Sequence, residues 1–293
     1  MIKNKSILIT GGAGFVGSNL IHLLLKKTKY NILSLDNYSS GHKRNHIKSK
    51  RVKYIKGETK NIKSLIKKPK NIHSVFHFGE FARIYQSFID MSECVESNTI
   101  GTNSVFNFCL KNNIKLIYSA TSATLGNKGN DKNLSPYAFT KAKNLELLEN
   151  LKKWFNFKYE VIYFYNVYGS GQISKGKMAT VIGIFEEMFK KKKALPVVLP
   201  GTQSRRFTHI DDTINVCFLA WKKNLSRHYS ISNKESFSIL EVARMFKSKI
   251  KFLKKRPGER YASALAHMNL SNKVYKYFGK KKLKEYIDKI IKE

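Results

Sequence analysis

The sequence predicts an α/β fold in which a doubly wound parallel sheet is joined to a smaller α/β substrate domain. Apolar runs of strand length alternate with amphipathic helical patterns over residues 1–165, an order typical of a parallel sheet with helices on both faces. The alternation becomes irregular over residues 166–293. With 293 residues, of which 42% are apolar, the chain can bury a core of this size. We expect residues 1–165 to form the first domain and residues 166–293 mainly the second, with some segments returning to the first.

The first predicted strand, residues 6–10, runs into a turn with three glycines and then into a helix. The first glycine can take backbone angles that a side chain would forbid, the second lets the main chain approach a pyrophosphate, and the third lets the helix pack on the strand. The helix N-terminus then faces the phosphates. A glycine triplet is a weak signal by itself, so an ordinary strand-to-helix turn is the alternative. The predicted phosphate-binding residues are Gly11, Gly14, Phe15, Val16 and Gly17.

The second predicted strand, residues 30–35, is followed by Asp36, which lies 19 residues after Gly17. A carboxylate at this place can accept hydrogen bonds from both ribose hydroxyls of an adenosine, and it repels a 2′-phosphate. The context therefore indicates a Rossmann dinucleotide site and favours NAD over NADP. Glu58, after the third predicted strand at residues 52–56, either bonds the adenine amine or is a surface glutamate.

The other predicted elements continue the alternation and then depart from it. Each apolar run has the length of a strand and is bounded by glycine or polar turns. The predicted strands are residues 74–78, 115–119, 159–165 and 197–199, and the predicted helices are residues 62–66, 92–112, 135–154, 180–192, 211–222 and 240–246.

The chain carries 55 lysines and arginines against 20 acidic residues, which gives a formal net charge of +35. A charge of this size is typical of proteins that bind nucleic acid or anionic surfaces. Nine of the cations are arginine, however, and the lysines are spread along the whole chain. The short basic clusters at residues 190–193, 254–256 and 280–282 are not interleaved with aromatic residues. This pattern indicates a composition bias, so we expect no nucleic-acid partner. An anionic small substrate would still be attracted by the field.

The sequence predicts no membrane span, because no run of about 18 apolar residues occurs. Gly11 interrupts the first apolar run too early for a signal peptide, and we expect a cytoplasmic protein. The three cysteines, Cys94, Cys109 and Cys217, lie far apart and without metal-ligand spacing. We expect them to be reduced core thiols, and we predict no metal site.

Tyr137 and Lys141 lie four residues apart on one predicted helix and therefore share a face. A tyrosine with a pKa of about 10 is a poor base at neutral pH, but a nearby ammonium favours its ionised form. A tyrosinate could then take a proton from a sugar hydroxyl. A surface tyrosine and lysine would explain this pair alone, but not the pair together with the glycine turn, Asp36 and Ser122.

On these residues the chain resembles the extended short-chain dehydrogenases/reductases of the NAD-dependent sugar-nucleotide epimerase/dehydratase family. The resemblance covers nearly the whole chain. It implies bound NAD, and a homodimer formed by helices at about residues 92–112 and 137–154. It implies catalytic roles for Ser122, Tyr137 and Lys141. The residues implied to contact NAD include Gly11, Gly14, Gly17, Asp36, Asn37, Phe78, Gly79, Asn98, Tyr137 and Lys141, and those implied to contact a nucleotide-diphosphate sugar are Ser122, Asn166, Arg205 and Arg256.

Within this family the residues that follow Ser122 indicate the reaction. Dehydratases carry Thr-Asp-Glu here, because eliminating water needs an acid and a base beside the tyrosine. This chain has Ser122-Ala123-Thr124, which suffices for oxidation and re-reduction at one carbon. We expect a 4-epimerase of a nucleotide-linked hexose, with UDP as the family's usual nucleotide. The alternatives are a reductase or dehydratase-like variant acting on another nucleotide sugar, and a non-catalytic NAD-binding protein that binds RNA.

Overall fold

The computed structural model describes residues 5–125, 131–258 and 274–293 of the chain. Its strands are, in chain order, β1 (Ser6–Thr10), β2 (Asn31–Asp36), β3 (Val52–Lys56), β4 (Ile72–His77), β5 (Lys115–Thr121), β6 (Tyr159–Phe164), β7 (Asn166–Tyr168), β8 (Leu195–Val198), β9 (Ser204–Arg205), β10 (Phe207–His209), β11 (His228–Ser232), β12 (Phe237–Ser238), β13 (Ile250–Leu253) and β14 (Val274–Phe278). Its α-helices are α1 (Phe15–Lys27), α2 (Ile62–Leu65), α3 (Gln86–Ile89), α4 (Met91–Val95), α5 (Thr102–Lys111), α6 (Pro136–Phe155), α7 (Val181–Lys190), α8 (Ile210–Lys222), α9 (Ile239–Met245) and α10 (Leu283–Lys292).

Eight strands form one sheet in the order β14-β11-β6-β5-β4-β1-β2-β3, and every neighbouring pair is parallel. The chain winds outward from β1 to β3 and then crosses to β4, on the other side of β1. This reversal makes the sheet doubly wound and opens a crevice at the carboxyl ends of β1 and β4. The predicted α/β fold with a parallel Rossmann sheet is confirmed.

The sheet is buried between two layers of helices. All five residues of β1 and all seven of β5 are buried, because neither face of these strands meets solvent. Since side chains alternate along a strand, Leu8 packs on the side of α5 and α6, whereas Ile7 and Ile9 pack on the side of α1 and α8.

Several segments after residue 165 return to the first sheet. Strands β11 and β14 extend it beyond β6, and α8 packs against α1 on one of its faces. The remaining elements of this half form a smaller core of their own, in which Phe185 of α7, Phe246 after α9 and Ile287 of α10 are fully or almost fully buried. This smaller unit carries the parallel pair β8–β13.

The helix predicted over residues 92–112 is interrupted. Helix α4 is followed by a π-helical stretch, Glu96–Gly101, and only then by α5. In a π turn the backbone bonds reach one residue further than in an α-helix, which rotates the following residues about the helix axis. The spacing of the sequence does not reveal such a change, because the buried positions keep a helical spacing from Cys94 through Asn98 and Thr102 to Val105.

The buried cysteines behave as core residues. Cys94, Cys109 and Cys217 are buried free thiols, and burial raises the pKa of each. Across the described ranges, no three or more His, Cys, Asp or Glu side chains lie close enough to hold a metal ion. No helix in the same ranges has both the length and the apolarity that crossing a membrane requires.

A buried ion pair ties β5, β6 and α8 together at the amino-terminal edge of the sheet. Lys115 Nζ lies 3.6 Å from Glu160 Oε1 and donates to Trp221 O at 2.8 Å, at the end of α8. Glu160 accepts hydrogen bonds from the backbone N–H groups of Leu225 and Arg227 at 2.8 and 3.0 Å. Each charge is therefore compensated inside the protein.

Removing one partner of this pair should be costly. We expect Glu160→Ala to lower the free energy of unfolding by about 3–5 kcal/mol, because it leaves the buried ammonium of Lys115 without its counter-ion. Glu146→Ala removes a glutamate from an exposed pair with Lys143 and should cost less than about 1 kcal/mol. Urea unfolding monitored by circular dichroism measures both values. Equal losses in the two variants would contradict this account.

Candidate functional site

The glycine turn between β1 and α1 leaves no room for side chains. Gly11 has a φ of 73°, in the left-handed region, and a Cβ there would lie 2.8 Å from Gly79 N. A Cβ on Gly17 would lie 2.2 Å from Gly11 O. Within the described residues no side chain caps α1 at Gly14, so the first N–H groups of the helix face the crevice. This cradle fits the pyrophosphate of NAD.

Asp36 ends β2 with both carboxylate oxygens on backbone donors. Oδ2 accepts from Ala13 N at 2.9 Å and Oδ1 from Tyr38 N at 2.8 Å. Burial raises the pKa of Asp36, and these backbone hydrogen bonds oppose the rise. Beside it, Asn37 Nδ2 donates to Glu58 Oε2 at 3.1 Å, which fixes the Glu58 carboxylate in the wall of the crevice. The polar residues predicted to bind the adenosine end of NAD therefore lie together.

One cleft brings together all but one of the residues predicted to contact NAD. The exception is Asn98, which lies behind the wall. Its side chain accepts from Phe81 N at 2.7 Å and donates to Phe81 O at 3.0 Å, so it holds the main chain that follows β4. The predicted residues that line the first cleft are Gly11, Gly14, Phe15, Val16, Gly17, Asp36, Asn37, Glu58, Phe78, Gly79, Tyr137 and Lys141.

Tyr137, on α6, lines both the first cleft and a second cavity beside it. Burial raises the pKa of Tyr137 to about 12; a hydrogen bond with Thr121 and the charge of Arg83 lower it, and the charge of Glu80 raises it. In this structure burial outweighs the lowering of the Tyr137 pKa that the spacing of Tyr137 and Lys141 leads us to expect.

Glu80 is a site residue that the sequence pattern missed. Lys141 Nζ donates to Glu80 Oε2 and to the carbonyl oxygen of Ser119, and it lies 4.6 Å from the centre of the Tyr118 ring. The Lys141 side chain is 4% exposed and that of Glu80 is 2% exposed. Burial lowers the pKa of Lys141, and the Glu80 carboxylate opposes this. The available signal was an acidic residue directly after a buried strand, in Phe78-Gly79-Glu80.

The second cavity connects Tyr137 to residues of the second half of the chain. Asn166 begins β7 and donates from Nδ2 to Arg206 O at 3.0 Å. The Arg256 guanidinium lies 4.8 Å from the centre of the Tyr85 ring. A guanidinium fork can bind a diphosphate through two parallel hydrogen bonds. All predicted substrate-contacting residues line this cavity: Ser122, Asn166, Arg205 and Arg256.

Arg83 is a second residue that the sequence pattern missed, and it lines both cavities. Its Nε donates to Met178 O at 3.0 Å and its Nη1 to Ala82 O at 2.7 Å. Burial lowers the pKa of Arg83. The side chain therefore ties the segment after β4 to the segment before α7, at the boundary between the two cavities.

Comparison with known proteins assigns the chain to a family. Residues 7–232 match the NAD dependent epimerase/dehydratase family. A protein of Methanocaldococcus jannaschii named putative UDP-glucose 4-epimerase is 28% identical over 272 residues, which cover 87% of this chain and 88% of that protein. The ADP-L-glycero-D-manno-heptose-6-epimerase of Brachyspira hyodysenteriae is 29% identical over 259 residues, which cover 82% and 80%.

A solved structure has the same architecture. The UDP-glucuronic acid 4-epimerase of Bacillus cereus, in complex with UDP-glucuronic acid and NAD, is 26% identical to this chain and gives a TM-score of 0.82. The match covers 98% of this chain and 99% of that one. Family match, sequence relatives and fold agree. The chain belongs to the NAD-dependent epimerase/dehydratase family.

Proposed function

We propose that the protein is an NAD-dependent nucleotide-sugar 4-epimerase of the UDP-hexose type. The observation that carries the proposal is the placement of Tyr137 on the boundary between the two cavities, with Lys141 on the cofactor side and Ser122 on the other. Ala123 and Thr124 occupy the places where a dehydratase needs carboxylates. The site therefore has groups for removing and returning one hydroxyl proton.

In the proposed reaction Tyr137 takes the proton of the sugar 4-hydroxyl, while Ser122 hydrogen-bonds the same oxygen. When bound, NAD would supply an oxidised ring that accepts hydride from C4, and its reduced form would supply the same hydride for return. Lys141 bonds the nicotinamide ribose, and Asp36 bonds the adenosine ribose. The hydride must return to the opposite face, so the sugar has to turn within the cavity.

Arg205 and Arg256 hold the substrate by its diphosphate in this proposal. Both line the second cavity, and each presents a planar fork in a chain whose cations are mostly lysine. A substrate anchored at the diphosphate can turn its sugar without leaving the site. Asn166, on the same wall, is placed to bond the substrate.

The relatives support a nucleotide sugar and leave its identity open. Two of those described above are 4-epimerases of UDP-sugars by name, and the third is a heptose 6-epimerase. A reductase or dehydratase-like enzyme for another nucleotide sugar is the second candidate. The cytoplasmic location predicted from the sequence stays a prediction.

Turnover tests the proposal directly. We expect purified protein, incubated with UDP-glucose or UDP-N-acetylglucosamine and without added NAD, to form the 4-epimer of at least one of them. Tyr137→Phe should be slower by about 100-fold or more, because it lacks the acid–base group. Proton NMR of the sugar anomeric region measures both products.

The same samples separate the alternatives. Turnover that needs added NADH would indicate a reductase, and loss of water would indicate a dehydratase. If neither sugar is turned over and the protein binds RNA with an affinity that falls steeply with salt, the RNA-binding hypothesis is favoured over the enzyme.

The arginine assignment has its own test. We expect Arg205→Lys and Arg256→Lys each to weaken UDP binding about tenfold, because an ammonium cannot make the paired hydrogen bonds of a guanidinium. Isothermal titration calorimetry measures the dissociation constants. Arg244→Lys, at an exposed position on α9, is the matched control and should leave them unchanged. Wild-type affinity for UDP in both site variants would show that the two arginines do not bind the diphosphate.

We also propose the homodimer that the family resemblance implies. The outer faces of α6 and of the helical segment from α4 to α5 carry large apolar side chains, which would be exposed to solvent in a monomer. The side chain of Phe139 is 48% exposed and that of Trp154 is 61% exposed. The exposed apolar residues of these helices include Met91, Val95, Ile100, Phe139, Trp154 and Phe155.

Sedimentation equilibrium tests the dimer. We expect the wild type to sediment as a dimer and Phe139→Glu as a monomer, because a buried, unpaired carboxylate would oppose association. Phe252→Glu alters an equally exposed phenylalanine on β13 and should remain dimeric. A monomeric wild type would contradict the proposal.

A further inference from the structure

The Glu80 carboxylate lies in a pocket of hydrogen-bond donors. Oε1 is 2.9 Å from Thr102 Oγ1, 3.0 Å from Tyr118 Oη and 3.4 Å from Asn144 Nδ2. Oε2 accepts from Lys141 Nζ. These partners come from α5, β5 and α6, so three elements converge on one side chain.

The direction of the hydrogen bonds identifies Glu80 Oε1 as an acceptor. Thr10 Oγ1 accepts from two backbone N–H groups after β4, so its own hydrogen goes to His77 Nδ1, 2.7 Å away. His77 Nε2–H then donates to Thr102 Oγ1 at 3.0 Å, and the Thr102 hydrogen is left for Glu80. Burial lowers the pKa of His77 to about 4, in keeping with a neutral imidazole. The chain of bonds ends on Glu80 Oε1, which accepts from the hydroxyls of Thr102 and Tyr118.

The titratable groups around Lys141 are otherwise neutral at neutral pH. Burial lowers the pKa of the imidazole among them and raises the pKa of the thiol and of both phenols. Among the residues that the structure describes, Glu80 supplies the negative charge that faces the ammonium. The four neutral groups are His77, Cys94, Tyr118 and Tyr137.

We propose that Glu80 is a positioning residue for the reaction: it keeps Lys141 charged and holds its ammonium beside Tyr137 in a site that excludes water. The proposal rests on the roles proposed above for Lys141 and Tyr137. Two of the three ammonium hydrogens go to Glu80 and to Ser119 O, which leaves one for the nicotinamide ribose.

The physical reason is the cost of a lone buried charge. A lysine without a counter-ion in a dry environment loses its proton at much lower pH, whereas a neighbouring carboxylate favours the charged form. A neutral Lys141 would have no charge to stabilise the tyrosinate of Tyr137. Glu80 thus extends the charged range of Lys141 to higher pH.

Glu80→Gln removes the charge and keeps the shape of the side chain. The hydroxyls of Thr102 and Tyr118 can turn and accept from the new amide. We expect the pKa of Lys141 to fall by about 1 to 2 in this variant. Lysines labelled with ¹³C at Cε report the titration by NMR, and the Lys141 signal is the one that disappears in Lys141→Arg.

Glu160→Gln is a matched control on the same sheet. It also removes a buried glutamate from a lysine pair, but at the amino-terminal edge of the sheet, about 13 Å along β5 from Ser119, which Lys141 contacts. We expect it to lower the pKa of Lys115 and to leave that of Lys141 unchanged, while Glu80→Gln does the reverse.

An unchanged Lys141 titration in Glu80→Gln would overturn the proposal, as would the same change in both variants. If Glu80→Gln does not fold, Glu80→Asp keeps the charge on a shorter side chain, and the pKa of Lys141 should fall by less than about 1. Because NMR observes the ammonium itself, the result stands even if no UDP-sugar is turned over.

Turnover gives a second readout that a merely structural role would not move. With an active sugar, the alkaline limb of the pH profile should shift to lower pH in Glu80→Gln, because Lys141 then loses its proton earlier as the pH rises. A uniform loss of rate at every pH would indicate packing damage and contradict the positioning role.

Discussion

The close approach of two backbone segments at the carboxyl ends of β1 and β4 is the constraint on which the rest of the site depends. Gly11 and Gly79 meet there at distances that no side chain would allow, and Thr10 bonds the first N–H groups after β4. The sheet reverses its winding at this junction, so the crevice opens between the two strands. The glycine turn then faces one side of the crevice, and Glu80 follows directly on the other.

Two buried lysine–glutamate pairs lie near opposite ends of β5 and serve different purposes. At the start of the strand, Lys115 and Glu160 bind backbone groups at the end of α8 and in the loop after it. The pair therefore joins secondary structure elements. Near the other end, beside Tyr118 and Ser119, Lys141 and Glu80 lie in the wall of a cleft. The chemistry of the two pairs is the same. What surrounds each pair decides whether its charge serves architecture or ligand binding.

Local sequence patterns were sufficient for the sheet and for most of the first cleft. Alternating strands and helices, three spaced glycines and a tyrosine four residues before a lysine are signals within short windows of the chain. The role of Glu80 depends on Thr102, Tyr118 and Asn144, which only the fold brings together. The pKa of Tyr137 depends on burial, and Asn98 faces Phe81 rather than the cleft; neither follows from spacing.

The wall between the two cavities has a thermodynamic consequence. Phe15, Tyr137 and Phe164 contribute to the surface of both cavities, so two ligands bound there would share side chains and touch one another. Each ligand then completes part of the other's binding surface. By linkage, whatever free energy one gains from the presence of the other is gained reciprocally. A nucleotide sugar that binds more tightly beside a dinucleotide would thus raise the affinity of the dinucleotide by the same factor.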